Sequence, residues 1–195
     1  MEAERILSLR DNASAEDITQ LRSIYLEKVF LEKPSAAKPG AIQKNIQWIW
    51  TAKGNRPQET LYFSKQFDLK NIPETAEIFF TCDDKVEFFL NGNPIGSTDL
   101  WSKPVISTVK KHFRKGTNYL TAIASNNGGP AGLIAQLSLR SKRGKNQYIT
   151  TDASWKHLSQ LPNPQSKDWH SQSHPDAKPA IVVGKYKSGP WGTLN

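Results

Sequence analysis

The stretch IFFTCDDKVEFFLNGNPIGS, residues 78–97, decides the fold class of this chain. Apolar side chains alternate with a period of two before and after the pair Asp83 and Asp84, as they do on half-buried strands. The dipeptide of Asn91 and Gly92 follows, and both residues tolerate the positive φ angles of a tight hairpin turn. The stretch therefore predicts two strands separated by the acidic pair, and a short return strand after the hairpin.

The same alternation continues through the middle of the chain, where turn-rich segments separate the apolar runs. The residues predicted to face inward are Leu61, Phe63, Phe67, Leu69, Ala76, Ile78, Phe80, Cys82, Val86, Phe88, Leu90, Leu120, Ala122, Ala124, Leu133, Ala135, Leu137 and Leu139. Seven or eight short strands separated by such turn-rich segments indicate an all-β chain folded as an antiparallel β-sandwich.

The beginning of the chain has a different pattern. Apolar residues at helical spacing predict one helix over residues 15–32, and a segment rich in Pro, Gly and Ala reads as a linker after it. We therefore predict a helical leader and linker over residues 1–42 and a β-sandwich over residues 43–195.

Tryptophan residues mark both edges of the predicted sandwich. Trp48 and Trp50 are two residues apart, so they are predicted to share one face of a strand and to lie in the core. The last third of the chain is sparser in pattern but holds Trp155, Trp169 and Trp191. Those indoles are expected to hold this segment across the sandwich.

Composition excludes several classes of protein. The 195 residues include 26 basic and 18 acidic side chains, a net charge of +8, and 37% hydrophobic residues, too many for a disordered chain. No apolar run approaches the length of a membrane span, so no membrane partner is expected. Cys82 is the single cysteine, which excludes an internal disulfide and a multi-cysteine metal site. The chain as written carries no signal peptide.

We find no catalytic constellation in the sequence, and we predict that the chain is not an enzyme. Glycoside cleavage needs two carboxylates that face each other across a substrate. Asp83 and Asp84 would point to opposite faces of an extended strand, where bonding to loop amides is the expected role. His170 and His174 lie four apart in a segment that is a poor helix, so no zinc site is predicted. No cofactor is predicted either, and a structural calcium ion is left as an alternative.

Two basic stretches, residues 110–115 and 140–145, carry much of the excess positive charge. Phe113 within the first stretch suggests base stacking beside phosphate-binding cations. Charged loops that keep a sandwich in solution are commoner, and no nucleic-acid-binding strand order is evident. Nucleic acid is therefore a disfavoured partner.

One loop offers residues suited to a sugar. Trp101 lies in the polar segment STDLWSKP, where an exposed indole would stack on a sugar ring; an indole folded over the rim of the sandwich is the alternative. Asp99, Asn126 and Asn127 are predicted to bond sugar hydroxyl groups from neighbouring loops. These four residues form the predicted ligand site.

Taken together, these segments resemble the galactose-binding-like jelly-roll domain attached to α-L-rhamnosidases and β-galactosidase-type glycosidases. The shared pattern is an aromatic strand, a hairpin that begins with two aspartates, G-x-N-x-L and a late D-x-x-W. The matching positions are Asp83, Asp84, Asn91, Gly92, Gly116, Asn118, Leu120, Asp152 and Trp155. The resemblance covers roughly residues 46–192 and implies a non-catalytic carbohydrate-binding domain, since the catalytic carboxylates of that family lie in a separate barrel.

Residues 5–30 are similar to a linker of large exported proteins of the planctomycete type. The haem attachment pattern C-x-x-C-H is missing, so haem binding is not implied. We therefore expect a carbohydrate-binding or substrate-targeting module of a larger extracytoplasmic protein, with polysaccharide and neighbouring domains as partners. A purely structural module that docks neighbouring domains is the alternative.

Overall fold

The computed structural model describes residues 41–109, 111–160 and 174–192. The helix predicted over residues 15–32 lies outside these ranges, as does Trp169. The boundary predicted after residue 42 stays a prediction. Within the described ranges, no helix has the length and hydropathy needed to cross a membrane.

The described residues form fourteen strands and one short 3-10 turn. In chain order these are β1 (Gln47–Trp50), β2 (Asn55–Arg56), β3 (Glu59–Leu69), β4 (Thr75–Asp83), β5 (Lys85–Leu90), β6 (Asn93–Thr98), β7 (Val105–Thr108), β8 (Gly116–Asn126), β9 (Gly129–Pro130), β10 (Gly132–Arg140), β11 (Asn146–Thr150), β12 (Lys156–Leu158), β13 (Lys178–Pro179), β14 (Ile181–Lys185) and the turn Gly189–Trp191.

Two six-stranded antiparallel sheets make up the fold. The first has the order β14-β1-β10-β4-β7, with β11 also paired to β10, and the second has the order β13-β12-β3-β8-β5-β6. The short strands β2 and β9 form a separate pair. The predicted all-β antiparallel sandwich is confirmed. The strand number exceeds the predicted seven or eight because the last third adds short strands to both sheets and because β2 and β9 form an additional pair.

The main core lies between the two sheets. All of the residues predicted to face inward from period-two alternation belong to it. Phe80 from the first sheet packs against Phe88 from the second with ring centroids 4.6 Å apart, and Trp155 meets Phe88 edge to face. Trp155 is completely buried, so this part of the last third is held as expected. Each such side chain contributes about 1.5–3 kcal/mol by leaving water.

A second cluster lies apart from the main core and joins Trp48, Trp191, Phe79 and Ile134. The indoles of Trp48 and Trp191 stack with centroids 4.3 Å apart. Residues Phe79 and Ile134 alternate with inward-facing neighbours on β4 and β10, which places the cluster on the outer face of the first sheet.

The prediction that Trp48 and Trp50 share one face is wrong. Trp50 belongs to the main core and Trp48 to the second cluster, although both are completely buried. The pairing of β1 with β14 shifts register between Trp48 and Ile49. Such a bulge interrupts the regular alternation of side chains, so residues two apart can face opposite sides.

The strand pairings give the sandwich two distinct ends. At one end, Glu59 pairs with Asn126 and the chain passes from β4 through Asp83 and Asp84 into β5. We call this the Asp end, defined by Glu59, Asp83, Asp84, Asn126 and Asn127. Loops 70–74, 111–115 and 140–145 lie at the other end, which we call the basic end. The two ends are separated by the eleven residues of β3 or β8, about 35 Å of extended chain.

Candidate functional site

Asp84 ties together the two strands that meet at the Asp end. Its N–H donates to the carbonyl oxygen of Ser125 at 2.9 Å. Its carboxylate oxygen Oδ2 accepts the N–H of Asn127 at 2.7 Å. This is the loop-amide role predicted from the sequence, and it fixes the turn after β8 against the start of β5.

Asp83 is held by a residue that is distant in sequence, Trp191. Its oxygen Oδ2 accepts the indole N–H of Trp191 at 2.9 Å, across 108 positions of sequence. The peptide bond between Asp83 and Asp84 is cis. Burial raises the pKa of the Asp83 carboxyl above its usual value; the bond from Trp191 acts against this, and the nearby charge of Asp84 adds to it.

The two carboxylates bond to different partners, Asp83 to the indole of Trp191 in the second cluster and Asp84 to the N–H of Asn127 after β8. The charge of Asp84 nevertheless acts on Asp83 and raises its pKa. Two carboxylates held together repel one another, which favours a bound proton, a cation or a hydrogen-bond donor between them.

Asn126 supplies the third unusual group at the Asp end. Its side chain is 0% exposed, and its amide nitrogen donates to the carbonyl oxygens of Pro57 at 2.9 Å and Arg56 at 3.4 Å. Those two bonds fix which amide atom is the oxygen, and Oδ1 has no hydrogen-bond partner. A buried polar atom without a partner costs about 1–3 kcal/mol, which a ligand's donor or a cation would relieve.

The structure divides the four predicted ligand residues into two groups. Asn126 and Asn127 lie beside the acidic pair, although Asn126 ends a strand and is buried rather than in a loop. Asp99 and Trp101 lie on the loop between β6 and β7. Asp99 is exposed, but Trp101 is half-buried against the second cluster, in agreement with the rim alternative. The Thr81 hydroxyl holds this loop by donating to the Trp101 carbonyl at 2.8 Å.

The oxygen atoms at the Asp end suit one kind of metal ion. Calcium prefers carboxylate, amide and carbonyl oxygens, and it takes about six to eight of them. Asp83, Asp84 and the free Oδ1 of Asn126 offer such atoms. Within the described ranges, no group of three or more His, Cys, Asp or Glu side chains is placed to hold a metal. A calcium ion would therefore need backbone, water or ligand oxygens in addition.

An open cleft of about 790 Å³ lies next to the Asp end and is lined by residues of β2, β3, β12, β13 and the segments beside them. Its lining includes Thr51, Arg56, Glu59, His157, His174 and Lys178. Glu59 accepts the indole N–H of Trp50 at 2.9 Å and Arg56 Nε at 3.0 Å, so its charge is compensated. Burial, with the charge of Lys178, lowers the pKa of His157. Asp176 also lines the cleft, so two acidic and two basic side chains balance there and the cleft is polar, as suits a hydroxyl-bearing molecule.

No protein-family model and no curated protein sequence matches this chain. Among solved structures, an α-L-rhamnosidase of Streptomyces avermitilis complexed with L-rhamnose matches with a TM-score of 0.72 and 27% identity, covering 83% of this chain and 17% of that one. A lectin from Pleurotus ostreatus in complex with GalNAc matches with a TM-score of 0.71 and 25% identity, covering 80% and 48%. This similarity agrees with the resemblance of the chain to galactose-binding-like jelly-roll domains.

The fold of the chain is also similar to part of a rhamnosidase of Bacillus sp. GL1, with a TM-score of 0.63 and 20% identity over 79% of this chain and 20% of that one. The chain spans less than half the length of each of these three proteins. The similarity of residues 5–30 to exported planctomycete-type proteins stays a prediction.

Two features of the site were missed by sequence reasoning. The bond from Trp191 to Asp83 has no sequence signal, because it joins residues 108 positions apart. The free Oδ1 of Asn126 depends on the carbonyl groups of a different loop. The acidic pair itself was visible in the sequence, and its position between two strands was the available signal.

We predict that Trp191→Phe destabilises the galactose-binding-like domain more than Trp48→Phe does. Both substitutions shrink a buried, stacked indole, but only Trp191 loses a bond to a carboxylate, a bond that contributes about 1.5 kcal/mol or more. Trp48 Nε1 has no hydrogen-bond partner to lose. Urea denaturation of the two variants gives the difference, and equal losses would show that the Trp191 bond contributes nothing.

Proposed function

We propose that the galactose-binding-like domain binds carbohydrate at its Asp end and performs no catalysis itself. The observation that carries this proposal is the buried, unpartnered Oδ1 of Asn126 at the same end of the sandwich as the carboxylates of Asp83 and Asp84. Buried polar atoms usually have a hydrogen-bond partner, so this atom is a candidate to accept a donor from a ligand or to contact a cation. A sugar hydroxyl donates to carboxylate and amide oxygens and also accepts from exposed N–H groups.

A calcium ion fits this set of oxygens and forms part of the proposal. Asp83, Asp84 and Asn126 would hold it; when bound, the ion would offset the repulsion between the carboxylates and offer coordination positions to sugar hydroxyls. Trp191 and Asn127 keep the two carboxylates in place, through bonds at 2.9 Å and 2.7 Å. The site is thus largely formed before any ligand arrives, which lowers the entropy cost of binding.

The structural neighbours support sugar as the ligand class. The Streptomyces protein was solved with L-rhamnose and the Pleurotus lectin with GalNAc, and both identities are at least 25%. The matched part is a small share of the rhamnosidase, which supports a non-catalytic module of a longer polypeptide whose neighbouring domains are further partners. We propose that this polypeptide is extracytoplasmic. Asp99 and Trp101 border the site and are proposed as additional sugar contacts.

A purely structural docking module receives less support. Such a module should present an uncovered apolar face when it is alone. The large exposed hydrophobic side chains in the described part of the chain are Ile72, Leu100, Tyr148 and Ile181. They lie on separate loops and strands at both ends of the sandwich, and the second cluster is itself buried. Single exposed residues of this kind need no partner.

We expect Asp84→Asn to abolish saturable binding of a simple sugar. Titration calorimetry with L-rhamnose, galactose and GalNAc, in calcium and again in EDTA, measures the binding. Asp84 holds the turn through one oxygen and offers its negative charge and second oxygen to the proposed site; asparagine keeps one acceptor oxygen but loses the charge and the second acceptor. Asp68→Asn is the matched control, because Asp68 is exposed near the basic end and bonds only to Thr117 among the described residues. Equal binding by both variants, or no binding by the unaltered protein, would contradict the proposal.

A further inference from the structure

The basic end concentrates positive charge contributed by both sheets. Eight basic side chains lie there, and all are exposed: Lys70, Lys111, Arg114, Lys115, Arg140, Lys142, Arg143 and Lys145. The acidic side chains nearby are Asp68, Glu74 and Glu77. The opposite Asp end carries both signs of charge, with Glu59, Asp83, Asp84 and Asp99 beside Arg56 and Lys85.

Backbone bonds hold the three loops of the basic end together. Glu74 N–H donates to the carbonyl oxygen of Arg140 at 2.8 Å, which joins loop 70–74 to loop 140–145. Leu69 pairs with Gly116, which places the third loop next to the first. The cations are thus brought to one surface by the sheet topology, although they are up to 75 positions apart in sequence.

These cations have no acidic partners among the residues the structure describes. The ion pairs found there are Arg56 with Glu59 and Lys65 with Asp152, and neither pair includes a residue of the basic end. Asp68 instead accepts the hydroxyl of Thr117, and Arg114 Nε donates to the Thr117 carbonyl oxygen. Like charges within a screening length of about 10 Å repel one another, so a polyanion bound here would relieve that repulsion.

Phe113, the aromatic residue among the cations of loop 111–115, is not a free platform for a base. Its side chain packs against the main core instead. The predicted stacking role therefore has no support, since binding of single strands relies on exposed aromatic faces. What the basic end offers is cations on long, adaptable side chains, which suits a chain of regularly spaced anionic groups.

We propose that the basic end is a second binding surface, for acidic polysaccharide bearing carboxylate or sulfate groups. Binding releases counterions from the polymer and weakens as salt rises. The surface is independent of the Asp end, from which it is separated by the length of β3 and β8, so both can be occupied together. The choice of polysaccharide over other polyanions rests on the proposed function.

Dextran, carboxymethyl-dextran and dextran sulfate of equal length provide the test, because they share one backbone and differ in charge. The patch variant combines Lys115→Ser, Lys142→Ser, Arg143→Ser and Lys145→Ser. The control variant combines Lys44→Ser, Lys53→Ser, Lys156→Ser and Lys185→Ser, which removes the same charge from exposed positions elsewhere. Melting temperatures of both variants show whether they are folded.

We expect the unaltered protein to bind both charged dextrans and not dextran at about 50 mM salt, with affinity falling steeply towards about 200 mM. The patch variant should lose about tenfold or more in affinity, and the control variant much less. Equal losses of affinity in the two variants would mean that only the net charge of the protein matters. Binding of a single-stranded oligonucleotide more tightly than dextran sulfate would indicate that the ligand is nucleic acid. Either result overturns the proposal.

The two proposals fail separately. Asp84→Asn should leave binding of the charged dextrans unchanged. Suppose that simple sugars do not bind, and that the patch variant loses affinity for dextran sulfate while the control variant does not. The proposed function then fails and the second surface stands. If no charged dextran binds at low salt, the second surface is wrong whatever happens at the Asp end.

Discussion

Trp50→Ala should lower the free energy of unfolding by about 3–5 kcal/mol, as expected when a buried indole is truncated. The side chain is 0% exposed in the main core and packs against Phe63 with ring centroids 5.4 Å apart. Its N–H also donates to Glu59, so truncation removes a bond as well as apolar contacts. Chemical denaturation monitored by circular dichroism measures the loss.

Trp101→Ala is the comparison for that variant. Trp101 is half-buried and packs only from one side against the second cluster, so its truncation should cost clearly less than that of Trp50. If the proposed contact with sugar is made, Trp101→Ala also weakens binding in the calorimetric assay. A stability loss equal to that of Trp50→Ala, with binding unchanged, would show that Trp101 serves only the fold.

Gly132→Ala should also destabilise the domain strongly, by about 1–3 kcal/mol, through overpacking. A Cβ atom at this position would lie 2.7 Å and 2.8 Å from Trp191 and 2.9 Å from Trp48. Both rings are buried and stacked, so neither can move aside cheaply. Since Gly132 pairs with Asp83 in the first sheet, displacement of Trp191 should also weaken ligand binding at the Asp end.

Gly184→Ala tests the same two rings with a smaller steric clash. Its Cβ would lie 3.4 Å from Trp191 and 3.7 Å from Trp48, close to ordinary contact distance. We expect a small change in melting temperature for Gly184→Ala and a large one for Gly132→Ala. If both changes are small, the Trp48 and Trp191 pair is less rigidly held than the stacking distance indicates.

Much of the fold follows from local pattern. On a strand, successive side chains face opposite sides, so a residue such as Phe80 or Leu133 is assigned to the core by its neighbours alone. The pair Asn91 and Gly92 marks its hairpin because both adopt positive φ, as the structure shows at 48° and 80°. Trp48 departs from the pattern, because a bulge depends on the strand beside it and leaves no local signal.

The sequence by itself determined the sandwich, its main core and the position of Asp83 and Asp84 between two strands, because these depend on alternation along the chain. Only the tertiary structure decided that the two carboxyl groups interact, that Asn126 Oδ1 is left without a partner and that Trp191 bonds to Asp83. It also gathered the cations of three loops at one end. The reason is physical: burial, partnering and repulsion depend on which distant segments meet, and a single strand does not specify its neighbours.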